Sequence, residues 1–275
     1  WATDITFGML FGEIVVAQYD TVNYEVADSI ATVTLNRPDR LNTFNVQMRR
    51  DLLGAMRKAS LDEEVRAIIL TSEGRAFCAG ADLFDKPPED QLVEDRINAE
   101  YKPILMAIHN APKPVIAGVR GAAAGIGSAL ALVCDLVVMD DSAYIYQAFA
   151  AIGLIPDGGA SWLLSHRLGR HVAFEIMMTG ERIDAERCVQ LGLANKSCAP
   201  EALMDEARAL AAVLASKAPL AVRYTKQAVR GGATLSYSEA VSLEASLQGI
   251  TVASEDHQEG RKAFSEKRKP VWRGK

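Results

Sequence analysis

Three glycine-centred stretches hold the residue types from which a backbone anion site is built: RAFCAGADL (75–83), RGAAAGIGSALALVCD (120–135) and AFAAIGLIPDGGASWLL (148–164). Each places a tight turn just before or within a helical pattern. Such a turn leaves the first N–H groups of a helix without intrahelical partners and adds the positive end of the helix dipole, so an anion or a developing oxyanion is the natural guest. Phosphate loops are the rival reading for the second stretch. Gly121, Gly125 and Gly127 fit GxGxxG poorly, and there is no GxxxxGKS, which argues against a nucleotide. Small residues that merely let helices pack closely are the bland alternative.

The elements around these turns point to an α/β fold. Ile30 to Leu35 alternates with β-branched residues and stops at Asn36-Arg37-Pro38, where proline cannot supply a ladder donor. From Asn45 to Ala59, apolar Val46, Met48, Leu52, Leu53, Met56 and Ala59 recur at helical spacing. The runs 67–72, 113–119 and 135–140 are short and continuously apolar, as in strands buried on both faces, with helical segments between them. Strands alternating with helices imply parallel crossover units, and in such sheets ligands gather at the carboxyl ends of the strands. After Gly180 the pattern turns helical. A βα core over residues 20–195 and a helical region over 196–275 is therefore expected.

Composition excludes several function classes. The 275 residues are 49% hydrophobic and 24% charged, which suits one large globular domain. A net charge of −5, from 35 acids and 30 bases without long runs of one sign, leaves no footprint for nucleic acid or an anionic membrane. No stretch approaches the roughly 20 apolar residues of a membrane span. Cys78, Cys134, Cys188 and Cys198 lie far apart without CxxC spacing and read as reduced thiols, giving the expectation of a reducing, cytoplasmic compartment. The four histidines show no HExxH pattern, so no metal is expected. The first twenty residues carry Asp4 and Glu13 in place of a basic, apolar leader, and the start at Trp1 reads as a trimmed chain.

The segments NRPDRLNTF, FCAGADL, KPVIAGVRGAAAGIGSALALVCDLVVM, IGLIPDGGASWLL, TGERIDAERCVQLGLANK and AFSEKRKPVW stand in the order and at about the spacing seen in the crotonase (enoyl-CoA hydratase/isomerase) superfamily. The resemblance runs from about Tyr24 to Trp272. It implies a spiral core of repeated ββα units, a helical C-terminal trimerisation region, an acyl-CoA thioester as partner, and a homotrimer or hexamer. No cofactor is implied beyond the coenzyme A of the substrate, so no flavin and no nicotinamide. In that family two backbone N–H groups clamp the thioester oxygen, and the matching positions are Ala81 and Ile126.

The resemblance also decides which reaction to expect. Hydratases of the family use two glutamates, and the matching positions here are Ala129 and Phe149, neither of which can carry a proton. Asp157 matches the catalytic carboxylate of the phenylacetate-pathway and dienoyl-CoA isomerases, closest in motif to the former. A single carboxylate suffices for a double-bond shift. By turn chemistry alone Asp157 is a loop residue in Pro-Asp-Gly-Gly. Burial beside Phe149, Leu154, Ile155 and Trp162 is expected to raise its pKa. The acyl pocket is assigned to Ala129, Tyr146, Phe149 and Trp162, with packing the alternative for Tyr146. Coenzyme A is assigned to Arg37, Arg40, Leu41, Ala79, Asp82 and Leu83, and to Phe264 and Lys267, often supplied by a neighbouring subunit; for the basic groups a solvated face is the alternative. Two other readings stay open: a hydratase with another acid such as Asp90 or Glu94, and a non-catalytic acyl-CoA binder.

Overall fold

The structure, a computed structural model, describes residues 19–85, 88 and 90–275. The leader expectation falls on residues 1–18, outside these. In chain order the elements are β1 (Val22–Ala27), β2 (Ile30–Leu35), α1 (Val46–Leu61), β3 (Ala67–Ser72), α2 (Val93–Arg96), a π-helical turn (Ile97–Tyr101) and α3 (Lys102–His109). Then come β4 (Val115–Val119), β5 (Ala122–Ala124), α4 (Ile126–Leu132), β6 (Leu136–Asp140), β7 (Tyr144–Tyr146) and α5 (Ala160–Thr179). The rest are β8 (Arg182–Asp184), α6 (Ala185–Gln190), β9 (Lys196–Cys198), α7 (Leu203–Ala215), α8 (Pro219–Gly232), α9 (Tyr237–Val252) and α10 (Glu255–Glu266).

The main sheet runs β1-β2-β3-β4-β6-β9, with β1 antiparallel to β2 and every other pair parallel. β3 is buried along its whole length, which is why its sequence is apolar without alternation. A second, smaller sheet runs β5-β7-β8. Isolated bridges Cys78↔Ala123 and Phe44↔Ala81 extend it by two chain passes. Each turn of the chain thus lays one strand in the main sheet, a short stretch in the second layer, and then a helix: β2, Phe44, α1; β3, residues 76–81, α3; β4, β5, α4; β6, β7, α5. This is the ββα spiral.

Local chemistry fixes the helices. Asn45 caps α1 by accepting from the Met48 N–H at 2.9 Å, and Met48, Leu52, Ala55, Met56 and Ala59 form its buried face. α4 enters against the second layer so closely that a Cβ on Gly127 would stand 2.2 Å from the Cys78 carbonyl oxygen, so only glycine permits the approach. α7 closes the other face of the main sheet, with Leu203, Ala207 and Ala211 packed on Ile30, Ala67, Ile69, Ile116 and Val138.

Two features differ from the sequence reading. β8 and β9 lie in the stretch read as wholly helical; three residues each, Arg-Ile-Asp and Lys-Ser-Cys, are too short to show a period. β9 pairs with β6 and α7 covers the sheet, so the sheet layer runs past a division at 195/196. The separate helical region is α8 to α10, onto which the tail folds back: Asp256 accepts from the Arg273 and Gly274 N–H groups at 2.7 and 2.9 Å. Among the described residues no helix is long and apolar enough to cross a membrane, and no cysteine is paired.

Candidate active site

Two peptide planes meet where the second layer ends. The Gly80 carbonyl accepts from the Phe44 N–H at 2.9 Å. In a planar trans peptide the N–H points opposite to the carbonyl, so the Ala81 N–H faces away from Phe44, toward the end of β5. The Gly125 carbonyl accepts from the Ser128 N–H at 3.0 Å and from the Ser128 hydroxyl at 2.6 Å. That aims the Ile126 N–H, the first of α4, in the other direction. Ser128 is itself held by Gln147 Nε2 at 2.8 Å. The two loops touch, since a Cβ on Gly125 would lie 3.9 Å from Gly80 Cα. Among the described residues neither the Ala81 nor the Ile126 N–H finds an acceptor.

Asp157 enters from the third glycine-rich stretch. Gly158 and Gly159 follow it with φ of 62° and 79°. A Cβ on Gly158 would stand 2.3 Å from Ile126 Cδ1, 2.9 Å from Ala129 Cβ and 3.5 Å from Leu105 Cδ1. Only glycine lets the chain pass here, and the passage seats Asp157 one residue from the Ile126 side chain. Its Oδ1 is buried without a hydrogen-bond partner. Burial pushes its carboxyl above the ordinary carboxylate value, while a hydrogen bond from its own N–H pulls the other way. The side chain caps no helix; the N-cap of α5 is Gly159.

The apolar surroundings differ in part from expectation. Phe149 is 8% exposed and its ring lies 3.7 Å from where a Cβ on Gly125 would stand, and Ala129 is fully buried beneath Gly158. Leu154, Ile155 and Trp162, however, are exposed, at 57%, 83% and 43%. They do not desolvate Asp157 within this chain. Trp162 stacks on His166 one helical turn on and lines a cavity of about 1460 Å³ against α8 and the tail. Tyr146 lies beside Gly180 with the Arg182 guanidinium 6.0 Å from its ring, across the strand from the core-buried Ile145. Its neighbours are those of a packing residue. Asp90 and Glu94 are both exposed.

With this geometry in view, the comparisons are specific. A family model described as enoyl-CoA hydratase/isomerase matches residues 25–275. The chain belongs to the enoyl-CoA hydratase/isomerase family. It is 40% identical to a probable enoyl-CoA hydratase of Rhodobacter capsulatus, over 94% of this chain and 99% of that one. It is 37% identical to the 1,2-epoxyphenylacetyl-CoA isomerase of Escherichia coli K12, over 91% and 97%. The crystal structure of an enoyl-CoA hydratase subunit I from Geobacillus kaustophilus superposes with a TM-score of 0.87 at 34% identity, covering 94% of this chain and 99% of that one. The crotonase fold is thereby shown.

The residues assigned to coenzyme A form two groups. Arg37 donates to Asp82 from both terminal nitrogens at 3.0 Å and to the Thr43 carbonyl at 2.6 Å. Burial alone would raise the Asp82 carboxyl, but hydrogen bonds from the Phe84 N–H and Arg37, with the charges of Arg37 and Arg40, hold it below its ordinary value. Leu41 accepts from the Ala79 N–H at 3.0 Å, and Arg40 lies 5.8 Å from the centre of the exposed Phe84 ring, next to exposed Leu83. These six residues cluster at the mouth beside Ala81. Phe264, 88% exposed, and Lys267 stand at the end of α10, with Leu220, Thr251 and Trp272 about Phe264, and this chain alone does not bring them to that cluster.

A buried ionic group beside the site escapes sequence reading. Arg49, on the buried face of α1, bonds Asp85 at 2.9 Å, Glu100 at 2.6 Å and the Tyr101 hydroxyl at 3.1 Å, and Arg96 also reaches Asp85 at 2.9 Å. The group ties the segment after Asp82 to α1. Arg49 is 52 residues from Tyr101 in sequence, and no local pattern links it to the segment from Asp85 to Tyr101.

Because the folded state raises the Asp157 pKa, the folded chain binds that proton more tightly than the unfolded chain. Its contribution to stability is full below the ordinary carboxylate value near 3.8 and declines as pH rises through the folded value. Asp157→Asn is therefore expected to raise the melting temperature at pH 7 and to lose that gain below about pH 3.5. Thermal melts of both proteins across pH 3 to 8 read this directly; an Asn variant less stable at pH 7 would contradict the buried, unpartnered carboxylate.

Proposed function

We propose that the protein is an enoyl-CoA isomerase that shifts a double bond through a thioester enolate. The observation that carries the reading is Asp157: a carboxylate with a buried, unpartnered oxygen, seated beside Ile126 where two free N–H groups converge. The thioester oxygen accepts from the Ala81 and Ile126 N–H groups. Asp157 removes a proton from the carbon next to the thioester of a 3-enoyl-CoA, and the electrons move into a dienolate whose negative oxygen lies in the hole. The same carboxyl returns its proton two carbons further out, leaving the 2-enoyl-CoA. Atoms and electrons balance without water or a redox partner.

The names of the relatives divide between hydratase and isomerase. Water addition by the two-carboxylate route has no acid at Ala129 or Phe149. A raised Asp157 pKa suits a base that must also return its proton, since efficient transfer needs a value near working pH. Coenzyme A is proposed to lie along Arg37, Arg40, Leu41, Ala79, Asp82 and Leu83, with Phe264 and Lys267 reaching it from a neighbouring copy. Exposed Phe174, Val229, Val241, Ile250 and Phe264 fit such contacts. Light scattering is expected to give the mass of three or six chains; a monomer would sink this part.

The test of the reaction is double-bond migration on a short 3-enoyl-CoA followed by NMR, with Asp157→Asn alongside. Migration by the parent chain and a loss of about 10²–10⁴-fold in the variant are expected. Full activity in the variant would remove Asp157 from the mechanism.

A further inference from the structure

Tyr101 stands between Phe44 and the helix that carries Leu105, and the proposed proton shuttle does not use its hydroxyl. The residue is 8% exposed on the π-helical turn, one helical turn before Leu105, whose side chain touches the Gly158 seat. Its ring packs edge-on against Phe44 at 6.1 Å and 74°, and Phe44 is the residue that bridges to Ala81. Tyr101 thus stands between the Ala81 peptide on one side, through Phe44, and the Asp157–Gly158 segment on the other, through Leu105.

The hydrogen-bond inventory of that hydroxyl is half filled. A phenol can accept and can also donate one proton. The Tyr101 oxygen accepts from Arg49 Nη1 at 3.1 Å, and among the described residues it donates to nothing. Arg49 also covers the ring face at 4.9 Å and is held in place by Asp85 and Glu100. A phenol that accepts from a guanidinium is a stronger donor, because hydrogen bonds in a chain polarise one another. Burial keeps the proton on: it raises the Tyr101 pKa, the charges of Arg49 and Arg96 oppose it, and Asp157 and Asp85 add to the rise. Among the described residues no hydrogen bond joins the phenol to Asp157.

A buried donor held without an acceptor costs free energy unless something supplies one. We propose that Tyr101 is a specificity-determining donor that binds an oxygen acceptor carried by the acyl group, a hydroxyl, ether, epoxide or carbonyl oxygen beyond the thioester. This inference rests on the acyl-CoA reading above and names its substrate class: oxygen-bearing acyl thioesters ahead of plain hydrocarbon ones. Arg49 is the positioning residue that aims the phenol.

Saturated thioesters test this without any turnover. Calorimetric titrations would compare pentanoyl-CoA with its analogues hydroxylated at carbon 3, 4 or 5, on the parent chain and on Tyr101→Phe, which keeps the ring contacts. The parent is expected to bind at least one hydroxylated analogue about tenfold or more tightly than pentanoyl-CoA, in line with a hydrogen bond to a buried donor. Tyr101→Phe is expected to bring the two within about twofold while leaving pentanoyl-CoA affinity in place, which also reports a folded site. A parent chain with no preference at any position overturns the proposal, and so does a preference that survives in Tyr101→Phe. Failure of every thioester to bind overturns the acyl-CoA site with it. Absent double-bond migration beside an intact Tyr101-dependent preference strikes the isomerase reading alone.

Discussion

Everything at the site depends on two planar peptide bonds whose carbonyls are already engaged. Gly80 gives its carbonyl to the Phe44 N–H, and Gly125 gives its carbonyl to Ser128. Planarity then turns the Ala81 and Ile126 N–H groups away from those partners, and the contact between the two glycines sets the two peptides side by side. In the proposed reaction, donors of this kind need no reorganisation when charge develops, and each is worth about 3 kcal/mol in a transition state. The ββα spiral is the frame that sets the two peptides side by side. β5 must end at Ala124 for α4 to begin, and α4 can begin there only because Gly127 lets it lie on Cys78.

In the proposed reaction Asp157 is the counterpart of those donors, and the fold places it at a cost. A carboxylate oxygen without a partner in an apolar setting is a liability for stability, of the kind expected where a group must give and take a proton. Two consecutive left-handed glycines hold it there, with Gly158 pressed on Ile126 and Ala129.

The strands and the main helix could be read from the chain because their signals are local. β2 and β3 fall where alternation and a continuous apolar run place them, and α1 starts at its Asn45 cap. β8 and β9 could not, since three polar-flanked residues carry no period and form strands only through partners elsewhere. At the site, the assignment of Ala81, Ile126 and Asp157 rests on motif resemblance rather than on side-chain chemistry, because backbone donors leave no mark on residue type. The neighbours of Trp162 and Tyr146, His166 for one and Arg182 for the other, are not visible in a linear motif. Arg49 and Tyr101 show the opposite failure: each is ordinary in its own segment, and their meaning appears only when the spiral brings α1 against the π-helical turn.

The measurement that bears most directly on a single carboxylate serving a backbone hole is isotope incorporation. The parent chain would be incubated with a short 2-enoyl-CoA in water enriched in both deuterium and oxygen-18, and the thioesters read by mass spectrometry and NMR. The predicted result is deuterium at the carbons exchanged by the dienolate, with a 3-enoyl isomer forming and no oxygen-18 in the acyl chain. A 3-hydroxyacyl-CoA carrying oxygen-18, formed as fast as deuterium enters, would contradict the account and require an acid other than Asp157.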